Sequence, residues 1–166
     1  MPKGSPAGSE DRLERAKGRA LRMLAARSRS EAEVRERLQR AGFEEPVVAQ
    51  VVAWLHRLGY LDDERFAREW VEARLRSRPS GRIRLAWELR QKGVAPERVE
   101  QALAVLDTET EVALAVEAAE RRYGGRRGSP EALARQVHAF LLRRGFSHFA
   151  VQKAVAHFMK EPDRPV

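Results

Sequence analysis

Three segments of this 166-residue chain follow one pattern. They are Leu38-Gln39-Arg40-Ala41-Gly42-Phe43, Leu89-Arg90-Gln91-Lys92-Gly93-Val94 and Leu141-Leu142-Arg143-Arg144-Gly145-Phe146. The glycines lie 51 and 52 residues apart. A fixed period near 50 residues marks a chain built from stacked copies of one unit. The register extends outward from each glycine. Eight residues before it stand Val34, Leu85 and Val137, and thirteen after it stand Leu55, Leu106 and Phe158. Leu24 and Leu75, in the helices that lead two of the units, are again 51 apart. The glycine itself closes a helix: a left-handed residue there satisfies the last carbonyls, and glycine adopts that conformation without a Cβ clash.

No segment alternates with period two, and helical periodicity is nearly continuous. A first helix is expected over about 12–27, with Leu13, Ala20, Leu21 and Leu24 inward. Ser30 and Glu33 form a capping box for the second helix, and Pro46 suits the first turn of the third. The cycle repeats with helices over about 63–77, about 81–92 and from Pro96, and again over about 109–123, from Pro130 and after Gly145. The expected fold is all-α: three tandem three-helix repeats forming an elongated, curved helical array. The divisions are a disordered leader at 1–11, repeats at 12–58, 59–106 and 107–160, and a flexible tail at 161–166. No unit buries its apolar face well alone.

Apolar residues make up 43 % of the chain and charged residues 34 %. That composition excludes a wholly disordered chain and leaves a thin core, which suits an array better than a sphere. With no cysteine, disulfides and thiolate metal sites are absent. No apolar run approaches the roughly 20 residues of a membrane span, and the first residues lack the apolar centre of a signal peptide; a cytoplasmic protein is expected. The formal net charge is +8, which points to a polyanionic partner such as nucleic acid, or to an acidic protein surface. The preference for arginine over lysine has a second explanation in a GC-rich genome, but the deficit of acids does not.

Catalytic chemistry finds no footing. His56, His138, His148 and His157 contain no i, i+4 zinc pair. Gly124-Gly125-Arg126-Arg127-Gly128 lacks the Gly-Lys-Ser/Thr ending of a phosphate loop and follows a helix. No enzyme, metal or cofactor is expected. Asp62-Asp63-Glu64 reads as a helix start, where acids favour the dipole and accept from free N–H groups. Trp54 and Trp70 fall at packing positions, and packing between repeats is expected for Trp87 rather than base stacking.

The basic residues cluster. Arg74, Arg76, Arg78, Arg82, Arg84, Arg90 and Lys92 stand against the single acid Glu88, which at helical spacing serves only Arg84 or Lys92. A second group is Arg121, Arg122, Arg126 and Arg127, and a third is Arg143 and Arg144. Arginines without local acids are candidates for anion contacts. Arg40, Lys92 and Arg144 also complement helix C-termini, a sufficient structural role by itself.

The run Ser30-Glu31-Ala32-Glu33-Val34-Arg35-Glu36-Arg37-Leu38, the stop Gly42-Phe43, the link Leu58-Gly59-Tyr60-Leu61-Asp62-Asp63-Glu64-Arg65-Phe66-Ala67 and the stop Glu88-Leu89-Arg90-Gln91-Lys92-Gly93 resemble the bacterial RecX family. The third repeat, ending Leu141-Leu142-Arg143-Arg144-Gly145-Phe146, agrees, so the resemblance covers about 12–159. It implies a regulator of the RecA recombinase that binds RecA filaments, within their helical groove, and DNA. The implied outcome is less filament growth, ATP hydrolysis and strand exchange, hence a role in recombination, DNA repair and the SOS response. The family has surfaces rather than a catalytic motif, so the RecA- and DNA-contacting residues expected here are the thirteen basic residues above. DNA contact would be electrostatic rather than sequence-specific, and the chain a monomer. Two other classes fit parts of the pattern. One is a helix-turn-helix protein acting directly on duplex DNA, though the helices after the glycines are mostly apolar and acidic. The other is a protein-interaction scaffold that binds no nucleic acid.

Overall fold

The computed structural model describes residues 6–126 and 128–160, which form nine α-helices and no strand. They are α1 (Pro6–Ala26), α2 (Glu31–Arg40), α3 (Glu45–Arg57), α4 (Asp63–Ser77), α5 (Arg82–Gln91), α6 (Pro96–Leu103), α7 (Thr108–Tyr123), α8 (Pro130–Arg143) and α9 (His148–Lys160). They group as three units, and within each the first and second helices pack on the third.

Local signals set the ends. Ser30 Oγ accepts from Glu33 N at 3.2 Å while the Glu33 carboxylate accepts from Ser30 N, so the capping box is formed. Asp62, Asp107 and Ser129 cap α4, α7 and α8 through their side chains. At each repeated glycine the chain turns left-handed, with φ of 88° at Gly42, 73° at Gly93 and 73° at Gly145. The following amide then bonds back five residues, Phe43 to Leu38, Val94 to Leu89 and Phe146 to Leu141, which is the Schellman arrangement.

Each unit has its own core, contrary to the expectation that no unit buries its apolar face well alone. Leu38, Leu89 and Leu141 are fully buried at the same place in the three, where truncation of a leucine costs about 2–5 kcal/mol. Leu114 packs against both the second and the third core.

Three further expectations need correction. Helix α1 begins at Pro6 rather than near 12, because nothing after that proline breaks it and ion pairs such as Asp11–Arg15 run along it. Residues 1–5 of the expected leader, and the tail 161–166, lie outside the described residues. Leu21 is exposed: the inward stripe runs through Ala16 and Ala20, and one further residue turns the side chain about 100° away. Trp87 is 57 % exposed rather than packed between repeats. It stands two residues from both Leu85 and Leu89, on the opposite side of α5 from the face they bury.

The seams between units follow one rule: the start of a unit's second helix docks on the glycine end of the next unit's second helix. At the first seam Ser30 Oγ donates to Lys92 O at 2.5 Å, and Glu31 N donates to Asp63 Oδ1 at 2.8 Å. At the second, Gly81 N donates to Arg144 O at 2.9 Å, Ile83 N to Gly145 O at 3.1 Å, and Arg82 N to Glu111 Oε1 at 3.0 Å. Glu111, buried, also accepts from Ser147 N and Oγ.

Candidate anion-binding interface

The second seam brings the predicted clusters together. The chain between α4 and α5 carries Arg78, Pro79 and Ser80 against the end of α8, where Arg144 Nη1 donates to Pro79 O at 3.2 Å. A hollow of about 470 Å³ opens there. Arg74, Arg78 and Arg84 line it from the second repeat, and Arg122, Arg143 and Arg144 from the third. Among the described residues the only carboxylate in its wall is Glu88, which is buried. Glu88 is already committed: Oε2 accepts from Arg74 Nε at 2.9 Å and Trp70 Nε1 at 3.0 Å, and Oε1 from Arg84 Nε at 3.1 Å.

Arg74 therefore has an acid partner, fourteen residues away, that helical spacing did not offer. Other members of the predicted set are paired too. Arg82 bonds Glu100 at 2.5 Å and Leu103 O at 2.7 Å, and Arg90 stands 3.9 Å from Glu100. Lys92 bonds Glu33 of the first repeat at 3.3 Å, Arg76 stands 4.0 Å from Glu72, and Arg121 pairs with Glu117. Arg126 stacks on Tyr123 with its guanidinium carbon 5.1 Å from the ring centre. Arg127 lies outside the described residues.

Arg78, Arg122, Arg143 and Arg144 make no ion pair among the described residues, and all four line the hollow. Burial first, and then Arg78, Arg84 and Arg122, lower the pKa of Arg144 from the ordinary arginine value. Desolvation is the larger cause, and the neighbouring like charges act in the same direction. Tyr123 and Phe140 form an aromatic wall, with rings 5.6 Å apart and edge to face, and Arg144 lies over Phe140. Sequence reasoning did not single out these aromatics or Ser80. The available signal was position, Tyr123 beside Arg122 and Phe140 one helical turn before Arg143 and Arg144.

Unpaired guanidinium groups converge on an open, aromatic-walled hollow, and the chemistry of each allows two parallel N–H bonds to a phosphate or carboxylate. Among the described residues there is no group of three His, Asp or Glu side chains placed to hold a metal ion, and no helix is long and apolar enough to cross a membrane.

Fold and site thus define a class: a tandem three-helix-repeat protein with an arginine-lined seam. Family models for the first, second and third three-helix domains of RecX match residues 16–55, 62–103 and 109–155. The chain belongs to the RecX family. It is 33 % identical over 147 residues to the regulatory protein RecX of Prosthecochloris aestuarii, covering 89 % of this chain and 95 % of that protein. It is 37 % identical over 147 residues to that of Mycobacterium sp. strain JLS, covering 86 % and 80 %. In fold it is similar to the crystal structure of RecX from Lactobacillus salivarius, with a TM-score of 0.80 at 21 % identity over 90 % of this chain and 97 % of the other.

Proposed function

We propose that this protein is a negative regulator of the RecA recombinase. It would bind RecA or RecA–DNA filaments in their helical groove and limit filament growth, ATP hydrolysis and strand exchange. The observation that carries this reading is membership of a family of regulatory proteins across all three repeats. The hollow at the second seam supplies the contact: its unpaired arginines meet DNA phosphates or acidic groups on the filament. The protein would work in the cytoplasm as a monomer, without a cofactor and without catalysis, and its hold on DNA would be electrostatic.

The test is RecA-dependent ATP hydrolysis on single-stranded DNA. Stoichiometric wild-type protein should depress it. Joint reversal of Arg78, Arg122 and Arg143 to glutamate should weaken that inhibition on the order of tenfold, as removal of several counter-ion contacts does. Reversal of the ion-paired Arg76 and Arg82 should weaken it less. Absence of inhibition by the wild type sinks the reading. A larger loss from the paired residues moves the site away from the hollow. Strong preference for one duplex sequence over random duplex would instead favour direct helix-turn-helix binding.

A further inference from the structure

The first repeat has a hollow of its own, about 580 Å³, between α1 and α2. None of its residues belongs to the basic set expected from the sequence. At its base is Arg29, in the link between the two helices and only 9 % exposed. Arg29 Nε donates to Met23 O at 3.2 Å, but Nη1 is buried with no hydrogen-bond partner. A buried charged donor left without an acceptor is costly and rare in folded proteins.

The nearby acids make no hydrogen bond to it, although the field of Glu33 offsets part of its charge. Glu33 is taken by Arg27 at 2.8 Å, Ser30 N at 3.2 Å and Lys92 at 3.3 Å. Glu36 is taken by Arg40 at 2.6 Å. Arg22 and Arg37 stand on the rim and make no ion pair among the described residues. Four guanidinium groups, those of Arg19, Arg22, Arg29 and Arg37, therefore line one hollow without an ion pair among the described residues. Burial, and then the fields of Arg27 and Arg37, lower the pKa of Arg29.

We propose that this hollow is a phosphate site for a nucleic-acid strand, with Arg29 at its floor and Arg22 and Arg37 as rim donors. The choice of a phosphodiester chain over an acidic peptide rests on register. Glu33 and Arg37 of this hollow stand 51 residues before Arg84 and Glu88 of the hollow at the second seam. The two hollows thus occupy equivalent places in successive repeats. They are also joined: Lys92 reaches Glu33 in one and lies 4.3 Å from the centre of the Trp70 ring, and Trp70 donates to Glu88 in the other. A ligand that repeats its charge along its length can fill both at once. The site extends the functional reading above to the first repeat, and it needs no recombinase to be tested.

The measurement is fluorescence anisotropy of a labelled oligothymidine with the full chain alone, over a series of salt concentrations. Arg29→Gln keeps a donor for Met23 O and removes the charge. It should weaken binding on the order of tenfold and flatten the slope of log K against log salt by about 0.7. Arg22→Gln with Arg37→Gln, both on the exposed rim where folding is not at stake, should weaken binding at least as much. Arg15→Gln is the matched control, since Arg15 pairs with Asp11 outside the hollow, and should change affinity less than twofold. Equal losses at Arg15 and at the hollow would overturn the proposal. So would loss of thermal protection by inorganic pyrophosphate, or of polyglutamate binding, in Arg29→Gln with oligothymidine binding unchanged; the occupant would then be a free anion or an acidic protein.

Discussion

At the same place in the repeat, the first seam has a serine and the second a glycine. Ser30 reaches across with its hydroxyl to Lys92 O. Gly81 has no Cβ and donates its own amide to Arg144 O. A Cβ built on Gly81 would stand 2.2 Å from Gly145 O and from Phe146 Cα. One built on Gly93, at the first seam, would meet only the Ala32 methyl closely, at 2.3 Å, with Ala32 Cα at 3.8 Å. One built on Gly145 would meet Arg84 Cβ, N and Cα, all within 2.9 Å. The second seam is therefore the one at which main chain meets main chain. That closeness draws Arg78 and Arg84 together with Arg143 and Arg144 into a single hollow. The first seam, held at side-chain distance, leaves the first repeat with a separate hollow of its own.

The largest expected effect breaks the closer seam. Gly81→Ala sets a methyl against backbone that cannot rotate away, and should cost about 3 kcal/mol in urea unfolding, at the upper end for overpacking. It should also reduce filament inhibition, because the hollow opens with the seam. A loss under about 1 kcal/mol would mean that the seam yields easily and does not hold the arginines in place.

Next come the three equivalent glycines. All have positive φ, so alanine at any of them carries the left-handed penalty of about 1 kcal/mol. At Gly42 that is the whole cost, since nothing stands within 4 Å of the added methyl. Gly93→Ala adds a methyl–methyl clash and should cost about 2 kcal/mol, and Gly145→Ala adds a backbone clash and should cost about 3 kcal/mol. If all three cost the same, their role is helix termination alone and the docking rule fails.

The glycines also show how far the sequence could be read. Capping boxes, Schellman turns and the three leucines announce themselves within a few residues, because the physics that sets them is local. Eight of the nine helices therefore start within about two residues of where the pattern puts them. The seams depend on partners 29 to 65 residues apart, where no periodicity speaks. Asp63 reads as a helix-start acid, and Asp62 is indeed the cap, but Asp63 turns to Glu31 N of the preceding repeat. Glu88 reads as a helical partner for Arg84 or Lys92, yet it holds Arg74 and Trp70 as well as Arg84, while Lys92 crosses to Glu33. Counting acids four residues away thus overstates the number of free arginines in the middle repeat. It also passes over Arg29, whose isolation appears only when Glu33 is seen to be spent on other donors.

The acids that bridge the two seams differ as well. Glu111 receives three donors and Asp63 one. Glu111→Ala strands two half-buried amides and a hydroxyl and should cost about 3 kcal/mol, whereas Asp63→Ala strands one amide and should cost about 1–2 kcal/mol. Equal costs would show that the second seam does not depend on its acid more than the first.

The smallest effect is one of pH, at the first seam. Burial raises the pKa of Asp63, against the pull of its bond from Glu31 N. Burial also opposes ionisation of Glu33, but Arg27, Ser30 N and Lys92 outweigh it and hold that carboxyl below the usual range. The signs are opposite. The folded state binds a proton on Asp63 more tightly than the unfolded chain does, so its favourable contribution is full below the unfolded pKa and is lost as pH rises through the folded one. Glu33 contributes above its unfolded pKa and loses that contribution as pH falls through its lower folded value. Asp63→Asn keeps an oxygen for Glu31 N and removes the titration. At neutral pH, relief of the buried charge and loss of its favourable place at the start of α4 nearly cancel, leaving a difference within about 0.5 kcal/mol. On acidification to about pH 4, in the carboxylate range, the wild type gains from protonating Asp63 and the variant does not. Urea midpoints should therefore shift in favour of the wild type as pH falls. A difference between the two that stays constant, or moves toward the variant, would show that Asp63 is not held in a desolvated bridge between the first two repeats.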